Sequence, residues 1–184
     1  LTWETLEGLV KHNGPLVDAS GKPAGRYASR GLPHAIAEFA EGHDLLLDSF
    51  ASAEAQVAAI SDDIAYNAHD LDDGLRACLF DVEAIADVPI AGDALRDVVD
   101  SWPDLDRHRL IHETVRRVIS WMIFDVISQT RKNAVGMGVE TSQDVRRANR
   151  AVVSLSPQMA GNNARLQTFL SSHMYQHDVV KAMM

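Results

Sequence analysis

A single cysteine, Cys78, among 184 residues rules out any disulfide within the chain and fits a reducing compartment, so the expected location is the cytoplasm. No apolar run approaches the ~18 residues that a membrane-crossing helix requires. No basic, apolar and small-residue series marks a signal peptide. Alternation of apolar and polar residues over strand length is missing, as are internal repeats and low-complexity tracts, which argues against β structure and repeat architectures. Bases are missing from one long stretch. Between Arg30 and Arg76 there is no Lys or Arg, while ten acids lie there, from Glu38 to Asp73. The net charge of −9 argues against generic nucleic-acid binding, and the acidic block accounts for all of it, leaving the remainder of the chain close to neutral.

What remains is ordinary for a globular protein: 46% apolar and 23% charged residues, at a length that suits one helical domain spanning 1–184. The chain opens on Leu1, and residues 2–12 already read as a helix. The stretch 179–184 breaks off inside an apolar-periodic run. Both ends are what a segment of a longer protein would show. After a loop rich in Gly, Pro and Ser over 13–31, a second helix is expected over 32–42, with Pro33 in its first turn. Ser52 is a good N-cap for a long helix reaching Arg76, with Glu54 in its first turn. Asp81 can cap a short helix ending near Ala86, and another spans 93–100. From Leu105 to about Ala134 the series Ile111, Val115, Val118, Met122, Val126 keeps helical spacing, widened by Ile119, Ile123 and Ile127, as a central helix would be. Gly136 and Gly138 stop it. A short helix over 142–149 and a last one, opened by Pro157 and reaching the C-terminus, complete an all-α chain.

The stretch that carries chemistry is Ser61 to Asp73. At 100° per residue, Val57, Ile60, Ile64, Ala68, Leu71 and Leu75 share one arc, centred roughly 200° from Asp62. Tyr66, His69 and Asp73 lie within about 40° of Asp62, and Asp70 about 80° away. One helix therefore has an apolar face and, opposite it, a face of carboxylates with an embedded tyrosine and histidine. Like charges at these spacings repel by a few tenths of a kcal/mol per pair. A solvated acidic surface is the ordinary outcome; a divalent cation or a sugar hydroxyl would give the acids partners.

The run from Glu54 to Gly74, EAQVAAISDDIAYNAHDLDDG, resembles the signature of bacterial deoxyguanosinetriphosphate triphosphohydrolases of the HD superfamily. The opening LTWETLEGLVKHNGP is similar to the segment that follows that family's metal-binding core. His112 to Arg117, Phe124 to Ile127, Asp144 to Arg146, and Phe169-Leu with Met174-Tyr-Gln-His177 are similar too, all in the family's order. The resemblance implies the C-terminal part of an HD-superfamily helical domain with long central helices. It also implies metal-dependent hydrolysis of dGTP or another dNTP to deoxynucleoside and triphosphate, by a homo-oligomer using Mg, Mn or Fe. Asp62 is the implied metal ligand, Tyr66 the residue packed on the substrate sugar, and Asp70 the acceptor for its 3′-hydroxyl. The family's other metal ligands, a histidine and an adjacent His-Asp pair, are absent; His69-Asp70 is not that pair, because it follows Asp62 instead of preceding it. With one ligand of four, the chain alone should be inactive, and a non-catalytic helical binding or assembly module is the alternative.

Elsewhere the residues read blandly. His108/His112 and His173/His177 have metal-compatible spacing but lack further ligands, and position 117 is Arg where a zincin helix needs His. Arg116, Arg117, Arg131, Lys132, Arg146 and Arg147 read as solvated charge, with phosphate or subunit contacts as the alternative.

Overall fold

The computed structural model describes residues 1–182, which contain eight α-helices and no strand. These are α1 Trp3–Lys11, α2 His34–Gly42, α3 Ala53–Arg76, α4 Ala91–Ser101, α5 Arg107–Met137, α6 Ser142–Arg147, α7 Pro157–Leu170 and α8 Asp178–Lys181. The all-α reading holds. No helix among the described residues is long and apolar enough to cross a membrane. The chain divides into two compact units, residues 1–61 with 128–154 and residues 62–127 with 155–184.

Local signals set most helix ends. Ser52 Oγ accepts from the Ala55 N–H at 3.3 Å, capping α3 where expected. Gly138, at φ +64°, ends α5, whereas Gly136 lies inside the helix. Thr141 and Asp144 exchange side-chain to backbone bonds at the start of α6, which ends at Arg147, short of the expected 149. Three expectations fail locally. Pro33 takes the cap position of α2 with an extended ψ of 136°, so that helix starts at His34. Val82–Ile85 forms a 3₁₀ turn that Asp81 does not cap. The last helix does not run on: after α7 the backbone loosens into a π-turn, Ser171–Tyr175. Met183 and Met184, in the expected terminal apolar run, lie outside the described residues.

In the first unit Leu16, Leu45, Ala51, Val145, Val152 and Val153 are buried. So are Glu7 and Lys11 of α1, both with no exposed surface, and Arg146 of α6. Glu7 accepts from Lys11 and from Arg146, and Lys11 Nζ also donates to the Leu46 carbonyl and to Ser49 Oγ, each at 2.9 Å. Arg146 is thus an interior charge and not the solvated one expected, because Glu7 satisfies it. Gln56, on the first turn of α3, is buried too; its Oε1 accepts from the Val152 and Val153 N–H groups. Val57, expected in the buried arc, is 46% exposed. In this unit the interior face of α3 has turned to favour Gln56.

The second unit is built on the two long apolar stripes. Ile64, Ala68, Leu71 and Leu75 of α3 are buried, as are Ile111, Val115, Val118, Met122 and Val126 of α5. Each of the larger side chains contributes roughly 1.5–3 kcal/mol by leaving water. The expected widening of the α5 stripe is met in part by half-buried Ile119 and fails at Ile123 and Ile127, which are exposed beside a 70% exposed Phe124. A Cβ at Gly74 would lie 2.3 Å from the Phe80 ring, so any side chain there requires that ring to shift.

Candidate functional site

All three residues singled out on α3 fall in the second unit. Burying Ile64, Ala68, Leu71 and Leu75 forces the opposite flank outward, so Asp62 is exposed, Tyr66 is 57% exposed and Asp70 is half-buried. At 1.5 Å of rise per residue, Asp62, Tyr66 and Asp70 are spaced about 6 Å apart along the helix. The flank is thus about as long as a nucleoside with its first phosphate.

Tyr66 and Asp70 converge on Tyr175, the last residue of the π-turn. Its phenol oxygen lies 2.6 Å from Asp70 Oδ2 and 2.7 Å from Tyr66 Oη. A phenol carries one proton, and the carboxylate is the stronger acceptor. Tyr175 therefore donates to Asp70 and accepts from Tyr66, forming a chain from Tyr66 through Tyr175 to Asp70. Burial, together with its bonds to Asp70 and Tyr66, pushes the Tyr175 phenol well above the usual tyrosine range. The segment that delivers Tyr175 is anchored to the same unit. Asn67 Nδ2 donates to Asn163 Oδ1 at 3.0 Å, joining α3 to α7. Phe80 meets Phe169 edge to face with centroids 5.0 Å apart, and His173 stacks on Phe169 at 4.1 Å. Leu166 and Leu170 are buried beneath. At the start of α7, Asp125 of α5 accepts from both the backbone and the hydroxyl of Ser156 at 2.7 Å.

The Asp62 side chain makes no hydrogen bond or ion pair with another described residue. Its exposed carboxylate is a hard oxygen donor and suits one position of a divalent cation. No group of three or more His, Cys, Asp or Glu among the described residues is arranged to hold a metal. The histidine pairs do not change this. His173 is stacked on Phe169 with Nδ1 near the Phe169 carbonyl, and His177 Nδ1 accepts from the Val179 N–H at the start of α8. His112 lies beside Glu113.

Most of the arginines read as solvated charge have partners. Arg116 binds Glu113 at 2.6 Å, and Arg117 pairs with Asp97 while lying over the Trp102 ring. His108, Arg109, His112 and Arg116 line a groove of about 490 Å³ with Trp102 and Leu105, but its arginines already face carboxylates. The acidic face is also less lonely than it reads, since Asp72 takes Arg76 at 2.6 Å.

Tyr175 was legible in the sequence only as a member of a closing motif. Nothing local assigns it a role, because the residue it touches is 105 positions away.

No protein-family model matches the chain. It is similar along its whole length to curated proteins described as deoxyguanosinetriphosphate triphosphohydrolase-like. The one from Bradyrhizobium diazoefficiens is 46% identical over 184 residues, all of this chain and 46% of that protein. The one from Azorhizobium caulinodans is 50% identical over the same length and coverage. The one from Parvibaculum lavamentivorans is 49% identical over 177 residues, 96% of this chain and 43% of its own length. The chain thus spans less than half the length of these relatives.

Proposed function

On the premise that the chain matches, from end to end, the C-terminal part of deoxyguanosinetriphosphate triphosphohydrolase-like proteins, we propose that the complete protein hydrolyses dGTP or another dNTP to deoxynucleoside and triphosphate. The chain's share of that work is to bind and orient the deoxynucleoside end of the substrate. The observation that carries this reading is the convergence of Tyr66 and Asp70 on one point, with Asp62 at the other end of the same helix flank.

Asp70 accepts the sugar 3′-hydroxyl, a charge-assisted bond that a 3′-deoxy sugar does not make. Tyr66 offers its exposed ring as a rigid wall for the sugar. Water adds to the α-phosphorus, the bond to the 5′-oxygen breaks, and that oxygen takes up a proton. Asp62 gives one carboxylate ligand to a divalent cation, Mg, Mn or Fe, whose other ligands come from the part of the protein beyond this chain. When bound, such a cation polarises the α-phosphate and acidifies water. We place the enzyme in the cytoplasm as a homo-oligomer, for which the exposed Ile123, Phe124 and Ile127 of α5 offer a contact surface.

The test is triphosphate release from dGTP and the other dNTPs by the full-length protein, with Mg or Mn supplied. Release that disappears with Asp62→Ala is the expected result. No release from any dNTP would remove the hydrolase reading.

A further inference from the structure

We propose that Tyr175 is a positioning residue that fixes the Asp70 carboxylate for the sugar hydroxyl and so sets discrimination between sugars. This rests on the sugar-binding reading of Asp70.

A carboxylate on the flank of a helix turns broadly about its last torsion, and it offers roughly four acceptor positions around two oxygens. An unrestrained Asp70 would meet a sugar hydroxyl in many orientations and would pay for ordering when the ligand binds. Tyr175 removes that freedom. Its hydroxyl holds Oδ2 at 2.6 Å, and Oδ1 is left with no bond to any described residue. The same oxygen accepts a hydrogen bond from the Tyr66 hydroxyl at 2.7 Å, so the phenol proposed as the sugar's wall is held in the same network. One residue thereby orders both groups of the sugar site, as a supporting shell does when a site is organised before its ligand arrives.

The place from which Tyr175 acts supports the assignment. It ends a π-turn, a rare backbone form that recurs at functional sites. The turn is seated by the Phe80, Phe169 and His173 ring stack and by buried Leu170. Little else in the second unit requires the hydroxyl of residue 175. The ring could pack without it, and the proton's one destination is Asp70.

The experiment uses the full-length protein and kcat/KM for a dNTP and its 3′-deoxy counterpart, in wild type, Tyr175→Phe, Asp70→Asn and the double variant. Phenylalanine keeps the ring, and circular dichroism reads the fold. Tyr175→Phe should lower the ratio between the two substrates about three- to tenfold, the worth of one hydrogen bond. It should act on KM for the dNTP more than on kcat. In the Asp70→Asn background it should lower the ratio no further, because its effect passes through Asp70. An unchanged ratio in Tyr175→Phe, with a lowered one in Asp70→Asn, overturns the role of Tyr175 and leaves the sugar reading standing. Equal losses on both substrates would make Tyr175 a packing residue and overturn the proposal too. An unchanged ratio in Asp70→Asn sinks the sugar reading and this inference with it.

Discussion

Arg146 meets Glu7 through two nearly parallel bonds, Nε to Oε1 at 2.8 Å and Nη2 to Oε2 at 2.9 Å, across 139 residues of sequence and in the interior of the first unit. Lys11 joins the same carboxylate at 3.1 Å, so two cations share one anion away from water. Burial by itself would raise the Glu7 pKa; the bonds from Arg146 and Lys11 outweigh it and hold the carboxyl below the usual glutamate range.

That depression fixes a direction for acid unfolding. A carboxyl with a lowered folded-state pKa stabilises the fold above the ordinary value of 4.5, and the contribution fades as pH falls below it. Protonating Glu7 removes the one carboxylate that bonds both Lys11 and Arg146 in the interior. Glu7→Gln should do the same at neutral pH, costing about 3–5 kcal/mol, the usual penalty for removing one partner of a buried pair. Urea unfolding at pH 7 and pH 4 measures both effects. A variant as stable as wild type at pH 7 would show that the cluster is spectator charge.

Gly74→Ala should destabilise by about 1–3 kcal/mol, since its new methyl would meet the Phe80 ring inside van der Waals distance. Phe80→Ala in the same chain should relieve that clash. A thermal melt of both variants decides this, and an unshifted Tm for Gly74→Ala would mean that Phe80 moves away at no cost.

Asp62→Ala should abolish triphosphate release by the complete protein while leaving its helical signal intact. The removed side chain has no bond to lose within the described chain. Losing one of several like charges on an acidic helix face can raise stability by a few tenths of a kcal/mol. Turnover equal to wild type would take Asp62 out of the site.

Asp70→Asn and Tyr66→Ala should differ in kind. Losing a charge-assisted bond worth roughly 1.5–3 kcal/mol should cut discrimination against a 3′-deoxy substrate by about one to two powers of ten. Losing the Tyr66 ring should slow every dNTP without favouring the 3′-deoxy one. Competition assays with paired substrates separate the two outcomes.

The purified 184-residue chain should release no triphosphate from dGTP with Mg or Mn present, because one carboxylate makes a poor metal site. Measurable turnover by it would mean that the chain holds ligands beyond Asp62.

The sequence by itself determined the helices and most of the interior of the second unit. Apolar spacing over Ile64 to Leu75 and over Ile111 to Val126 names the buried faces, because periodicity and burial are the same fact once a helix packs. Ser52 and Gly138 mark helix ends through bonds and torsions that involve only their neighbours. The outward flank of Asp62, Tyr66 and Asp70 follows as the complement of the buried arc. What only the tertiary structure decided is every pairing made across the chain. Glu7, Lys11 and Arg146 look like surface charges one at a time, and burial is favourable only when all three meet. Val57 gives up its place in the interior because Gln56 reaches two backbone N–H groups that nothing local foretells. Tyr175 is one aromatic among several until α7 and the π-turn bring its hydroxyl to Asp70. A hydrogen bond acts over about 3 Å of space, whatever the distance along the chain, and periodicity carries no record of such meetings.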